Sequence, residues 1–250
     1  NLVIGTAIVW GSRRWGPQEY DRRGAAIYLV LIAALGGVAF FGPHLFRSGG
    51  FPPVVEIVVG VVVAGTYAGF IYLQMGRWKR FFLDDAVDHE PAEPTRLDST
   101  PARFTILVGL LVAIALLAED LALFIDFGVR QAHLPMLIGG ILIASIVFLP
   151  ETLTTLQAAN QNQMQRVVNL CLGAFVSTVG ISVPSVLIVG ALTGKEVIFA
   201  LPWDQSLLVV ATVALTAVTF TRPRTTAAYG WAHLALFAAF VTSAFAIPQG

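Results

Sequence analysis

The chain has 250 residues, 56% of them hydrophobic and only 12% charged, with a mean hydropathy of +0.78. A soluble globular chain carries about 25% charged residues, so this composition excludes an ordinary soluble domain and points to an integral membrane protein. Basic and acidic residues balance at 15 each, which leaves no positive surplus for nucleic acid.

A spanning helix needs about 20 mostly apolar residues. The run at 1–11 is shorter, starts without methionine, and reads as the tail of a span cut off upstream. No secretory signal is visible. Apolar runs at 25–46 and 54–75 predict two full spans, the first ending at Gly42-Pro43. A polar stretch, 76–103, follows, and six acids fall between Asp84 and Asp98. It reads as a solvated connector, and Pro91, Pro94 and Pro101 argue against a long helix there. Further spans are predicted at 104–129, from 134 through Glu151, at 167–192, at 206–221 and at 231–248. These runs are long, continuous and rich in Ala, Leu and Gly, which favours helix over strand.

The basic residues test this count. Twelve of the 15 Lys and Arg fall in alternate loops on one side, and the other side receives only Arg47, Arg130 and Lys195. A wrong span count would scramble that bias. The positive side is the cytoplasmic one, so the acidic linker is expected in the cytoplasm and the protein in the inner membrane.

Five acids interrupt apolar runs: Glu56, Glu119, Asp120, Asp126 and Glu151. An ionisable group within a span is costly and reads as functional by default. Glu56 and Asp126 sit near span ends, where they can reach the interface. Glu119 lies mid-span, and Asp120 is about 100° further round the helix. Glu151 is the stronger case. Pro150 before it lacks an amide hydrogen and crowds the preceding turn, so a kink or unwinding is expected there. The freed carbonyls and one carboxylate are hard oxygen ligands suited to Ca²⁺, Mg²⁺, Na⁺ or protons. The helix is expected to continue through Gln163. Glu151, Thr154 or Thr155, Ala158 and Asn162 would then fall on one stripe. On the next span Asn169, Gly173, Ser177, Gly180 and Pro184 make a stripe of small or polar residues. That stripe is either a packing seam or a cavity lining. Cys171 cannot form an internal disulfide and reads as a small packing residue. His44, His89 and His133 are expected in loops, and no Cys/His cluster offers a zinc site.

Residues 149–173, Leu-Pro-Glu-Thr-Leu-Thr-Thr-Leu-Gln-Ala-Ala-Asn-Gln-Asn-Gln-Met-Gln-Arg-Val-Val-Asn-Leu-Cys-Leu-Gly, resemble the second signature repeat of bacterial calcium/proton antiporters. These belong to the calcium/cation antiporter superfamily, which includes the sodium/calcium exchangers. Leu117-Ala118-Glu119, residues 179–184 and the stretch from Thr219 to Leu234 are similar to the same family. The resemblance implies an all-α polytopic transmembrane bundle built from two inverted five-helix repeats with an acidic linker between them. On that pattern residues 1–75 are the last helices of the first repeat, the first of them truncated. Residues 76–104 are the linker, and 105–250 are the five-helix second repeat. The missing part of the first repeat would supply the partner glutamate that completes the site. By resemblance, the ion-binding residues are Glu151, Glu119, Asn162 and Ser177. Ser177 sits where eukaryotic relatives tend to have Gln, and Thr152 replaces their His. Pro150, Gly173 and Gly180 would serve helix kinking and packing.

The function implied is exchange of Ca²⁺ for H⁺ by alternating access, with Ca²⁺ as cargo and no cofactor. Exchange of Na⁺ or K⁺ for H⁺ on the same scaffold is the near alternative. A proton-conducting subunit of a larger complex is an alternative of another class, but no Lys lies mid-span to serve it. The loops show no nucleophile–base or metal motif, so an enzyme ranks last.

Overall fold

A computed structural model of the chain describes residues 1–46, 50–82, 100–194 and 197–246. Arg47, Lys195, His89 and the six linker acids lie outside the described residues, and so does the side chain of Glu119. The helices are α1 (Leu2–Trp15), α2 (Arg22–Gly36), α3 (Pro53–Met75), α4 (Thr100–Gln131), α5 (Met136–Val147), α6 (Leu149–Asn160), α7 (Met164–Thr193), α8 (Trp203–Phe220) and α9 (Ala227–Ala246). Two short strands, β1 (Gln18–Glu19) and β2 (Arg224–Thr225), pair antiparallel. Five continuous helices among the described residues are long and apolar enough to cross a membrane. The apolar pair α5 and α6 is bent by 60° at its break, the form of a broken span or a re-entrant loop, and α9 is a shorter apolar helix. The protein is therefore an all-α, multi-pass membrane bundle.

Local chemistry sets the helix ends. The Asp21 carboxylate accepts from the backbone N–H of Arg23 at 2.6 Å and starts α2, an N-cap that satisfies otherwise orphaned donors. After Gly36 the chain winds through a π-helical turn, Gly37–Phe41, and a 3₁₀ turn, Gly42–Leu45. His44, expected in a loop, lies in that 3₁₀ turn and stacks on Trp203 at 5.0 Å. Pro52 and Pro53 start α3, where a missing N–H costs nothing. Gly194, at φ 65°, ends α7 in the left-handed conformation.

The interruption before Glu151 falls at Phe148, two residues earlier than expected, and Pro150 occupies the first turn of the new helix. Proline is tolerated in a first turn, because the N–H it lacks has no partner to find there. The helix also ends sooner than the amide run suggested. Gln163 N–H donates to the Ala158 carbonyl at 2.9 Å and Asn162 N–H to the Ala159 carbonyl at 3.3 Å, with Asn162 at φ 60°. This is a Schellman termination with Asn at the left-handed position. Asn162 therefore leaves the helical stripe that spacing assigned it.

The chain forms two compact units. The first holds Asn1–Asp84 and Glu151–Phe240, the second Asp85–Pro150 and Val241–Gly250. In the first unit α7 is central, packed on α1, α2 and α3. Val167, Val168 and Val176 of α7 are fully buried, together with Ile8, Tyr28 and Val63. Lipid gives no hydrophobic drive between helices, so close contact through small residues holds them. A Cβ on Gly5 would stand 2.9 Å from the Gly230 carbonyl, and one on Gly180 only 2.6 Å from the Tyr67 ring. Gly180 and Gly173, which lies against Tyr28, belong to the packing seam. Another join is polar. Buried His233 on α9 meets the Thr219 hydroxyl at 3.1 Å and the Asn1 amide at 2.7 Å, tying α9 to α8 and α1.

The basic helix ends of this unit gather at one end. There β1 meets β2, Trp15 donates to the Asn160 carbonyl at 3.1 Å, and Gln165 accepts from Asp21 N–H at 2.7 Å. The opposite end carries the Gly50–Ile198 bridge and the His44–Trp203 stack. In the second unit α4 packs on α5, with Gly139 against Val129 and Ile125. Asp126 forms an ion pair with Arg130 at 2.9 Å, one turn away near the end of α4.

Candidate cation site

The site is built on α6 and α7, which the turn at 161–163 joins. The C-terminal end of α6 is fixed at the basic rim, where Asn160 takes hydrogen bonds from Trp10 and Trp15. Nine residues separate Asn160 from Glu151. At 1.5 Å per residue the carboxylate stands about 13 Å in from the rim along the helix axis. The other described acids of this unit are Glu19 and Asp21 at the rim, and Glu56 and Asp204 in the first turns of α3 and α8 at the opposite end. Among the described residues of the unit, Glu151 is thus the one carboxylate at neither end.

Glu151 sits in the first turn of α6 and is exposed. One turn on, Thr155 is buried, and its hydroxyl faces Cys171 of α7 without a hydrogen bond of good geometry. The buried face of α6 is therefore Thr155, Ala158 and Ala159, and Glu151 stands at its far end. On α7 the Ser177 hydroxyl donates to the Ala174 carbonyl at 3.0 Å.

Asn169 has a different role from the cavity lining its spacing suggested. Its amide donates to the Phe82 carbonyl at 2.6 Å and accepts from Gln165 at 3.0 Å. Glu119 belongs to α4 in the other unit. Among the described residues no three His, Cys, Asp or Glu side chains converge.

Residues 103–246 match the family described as Sodium/calcium exchanger protein. The chain belongs to this family. Membership makes it a cation antiporter of the secondary-transporter kind and not an enzyme. A Sinorhizobium fredii protein named "Putative ionic transporter y4hA" is 30% identical over 96% of this chain and 67% of its own length. The Escherichia coli protein named Sodium-potassium/proton antiporter ChaA is 28% identical over 98% of this chain and 68% of its own length. The structure titled "Structure of native YfkE" superposes with a TM-score of 0.77 at 17% identity, over 98% of this chain and 71% of that one, which establishes a shared fold.

Two polar groups beside α7 escaped sequence reading. Tyr28 of α2 presses its hydroxyl against Gly173 and takes a hydrogen bond from Gln74 of α3 at 3.1 Å. A lone tyrosine in an apolar run looks like packing, and only the approach of α2 to α7 shows where its hydroxyl goes.

Proposed function

We propose that this protein exchanges Ca²⁺ for protons, with Glu151 as the carboxylate that holds either. The observation that carries this reading is a carboxylate in the first turn of a helix that follows a break in an apolar run, in a family of cation exchangers. Ca²⁺ is bound by six to eight oxygens, so Glu151 needs oxygens from other helices. Glu119, Asn162 and Ser177 are the candidates that the family resemblance supplies. Residues 76–104 act as the linker between repeats, on the cytoplasmic face of the inner membrane. A proton on Glu151 discharges the site and releases the cation, so the two ions compete for one place. That competition, with access alternating between the two faces, is sufficient for antiport. The name of the Escherichia coli relative supports a second reading in which Na⁺ or K⁺ takes the place of Ca²⁺.

Everted vesicles carrying the full-length protein test both. A pH gradient should drive Ca²⁺ uptake, and Glu151→Gln should abolish it. Uptake intact in the variant removes Glu151 from the mechanism. Uptake of Na⁺ or K⁺ with no competition by Ca²⁺ selects the second reading.

A further inference from the structure

The basic rim of the first unit holds an arrangement that cation transport does not explain. Arg22 and Arg23 occupy the first turn of α2, and Arg166 the first turn of α7. Cations are disfavoured at helix N-termini, where the dipole is already positive. Lys79 and Arg80 join them from the 3₁₀ turn Lys79–Phe81. These pieces are held together. Gln165 donates to the Phe81 carbonyl at 3.3 Å and accepts from the Asp21 N–H at 2.7 Å. The guanidiniums of Arg23 and Arg80 both lie over the Phe81 ring, at 5.8 and 4.9 Å from its centre. A ring contact fixes a guanidinium while leaving its N–H fork open.

Among the described residues little negative charge answers this cluster. The ion pairs among the described residues are Arg130–Asp126 and Arg224–Glu19. The nearest described acid, Asp21, is committed to capping α2 through its hydrogen bonds to the Arg23 and Gly24 N–H groups. Arg22, Arg23, Lys79 and Arg80 are exposed. The cluster sits at the ends of spanning helices beside Trp78 and Phe81, the level of lipid headgroups.

We propose that Arg23 and Arg80, with Arg22, Lys79 and Arg166 around them, bind the phosphate of an anionic phospholipid headgroup. The guanidinium fork matches phosphate oxygens. The surrounding positive charge repels the choline of a zwitterionic lipid, which gives selectivity for net-negative headgroups. The site is separate from Glu151, and it stands whichever cation is carried.

The test uses the full-length protein in an equal mixture of phosphatidylglycerol and phosphatidylcholine, with the lipids retained after detergent extraction read by native mass spectrometry. Wild type should retain phosphatidylglycerol preferentially. Arg23→Gln with Arg80→Gln should cut that preference by about fivefold per arginine, while Arg130→Gln in the other unit leaves it unchanged. Raising the salt concentration should erode the wild-type preference, a readout that needs no variant to fold. The proposal is overturned by equal retention of the two lipids, by a preference that survives the double substitution, or by one indifferent to salt. Displacement by inorganic phosphate as readily as by phosphatidylglycerol overturns it too, since the site would then take free anions.

Discussion

Asn169 donates its side-chain amide to the Phe82 carbonyl at 2.6 Å, so the last described residue before the acidic linker is tied to the central helix of the bundle. Phe82 is itself buried against Tyr28 and Phe70, with ring centres at 5.2 and 5.8 Å. Replacing Asn169 by Leu removes the donor and leaves a buried carbonyl unpaired, which costs about 1–3 kcal/mol. The expected result is a lower thermal midpoint in lipid nanodiscs. An unchanged midpoint would mean that water or another donor takes over the Phe82 carbonyl.

Asn162 carries two competing interpretations that one substitution separates. As a helix terminator at φ 60° it should accept glycine at little cost and lose about 1 kcal/mol on change to alanine. As a cation ligand it should tolerate neither. The expected outcome is that Asn162→Gly unfolds like wild type. Transport by that variant then decides the chemistry. Retained activity assigns the amide to capping, and lost activity with an intact fold assigns it to the ion.

Gly180 leaves no room for a side chain. A Cβ there would stand 2.6 to 2.8 Å from three atoms of Tyr67. Gly180→Ala should cost about 1–3 kcal/mol through overpacking. Tyr67→Ala in the same chain should return part of that loss, so the two changes are non-additive in a double-mutant cycle. Strict additivity of the two unfolding free energies would show that the α3–α7 seam relaxes freely.

Tyr20 gives a pH dependence with a definite sign. Its hydroxyl reaches the Thr219 and Arg222 carbonyls at 2.9 and 2.7 Å, and burial pushes the phenol up to about 12. The unfolded phenol ionises near its ordinary value of about 10, so the folded state binds the proton more tightly. The stability from this group is complete below pH 10 and disappears as pH rises to 12. Tyr20→Phe keeps the edge contact with Phe220 and should lose about 1 kcal/mol at neutral pH. The gap between wild type and variant in denaturant unfolding should therefore close between pH 10 and 12. A constant gap would place the effect in packing alone.

Glu151→Gln should be nearly silent for folding. The side chain is exposed at the start of α6, and such substitutions usually change stability by about 0.5 kcal/mol or less. Its thermal midpoint should match wild type, which makes lost transport in the vesicle assay a statement about chemistry. A marked drop in midpoint would turn Glu151 into a structural residue.

The sequence by itself determined the membrane setting, the helical class and the order of segments. Hydrophobic run length and the alternation of basic loops are local properties, each legible within some 20 residues of chain. The basic loops of the first unit do meet at one end, as the alternation requires. It also singled out Glu151, because a carboxylate after Pro150 in an apolar run is visible without a fold. Spacing failed where the backbone left the regular helix. The break at Phe148 and the left-handed Asn162 reset the angular count, so the stripe from Glu151 to Asn162 dissolved. Tertiary contact decided the rest. The approach of α2 and α3 to α7 turned Gly173 and Gly180 into packing surfaces and drew Asn169 to the Phe82 carbonyl. It also brought Arg23 and Arg80, far apart in sequence, over the ring of Phe81. Glycine, amide and arginine have no fixed role along a chain, because what they do depends on the group brought opposite them.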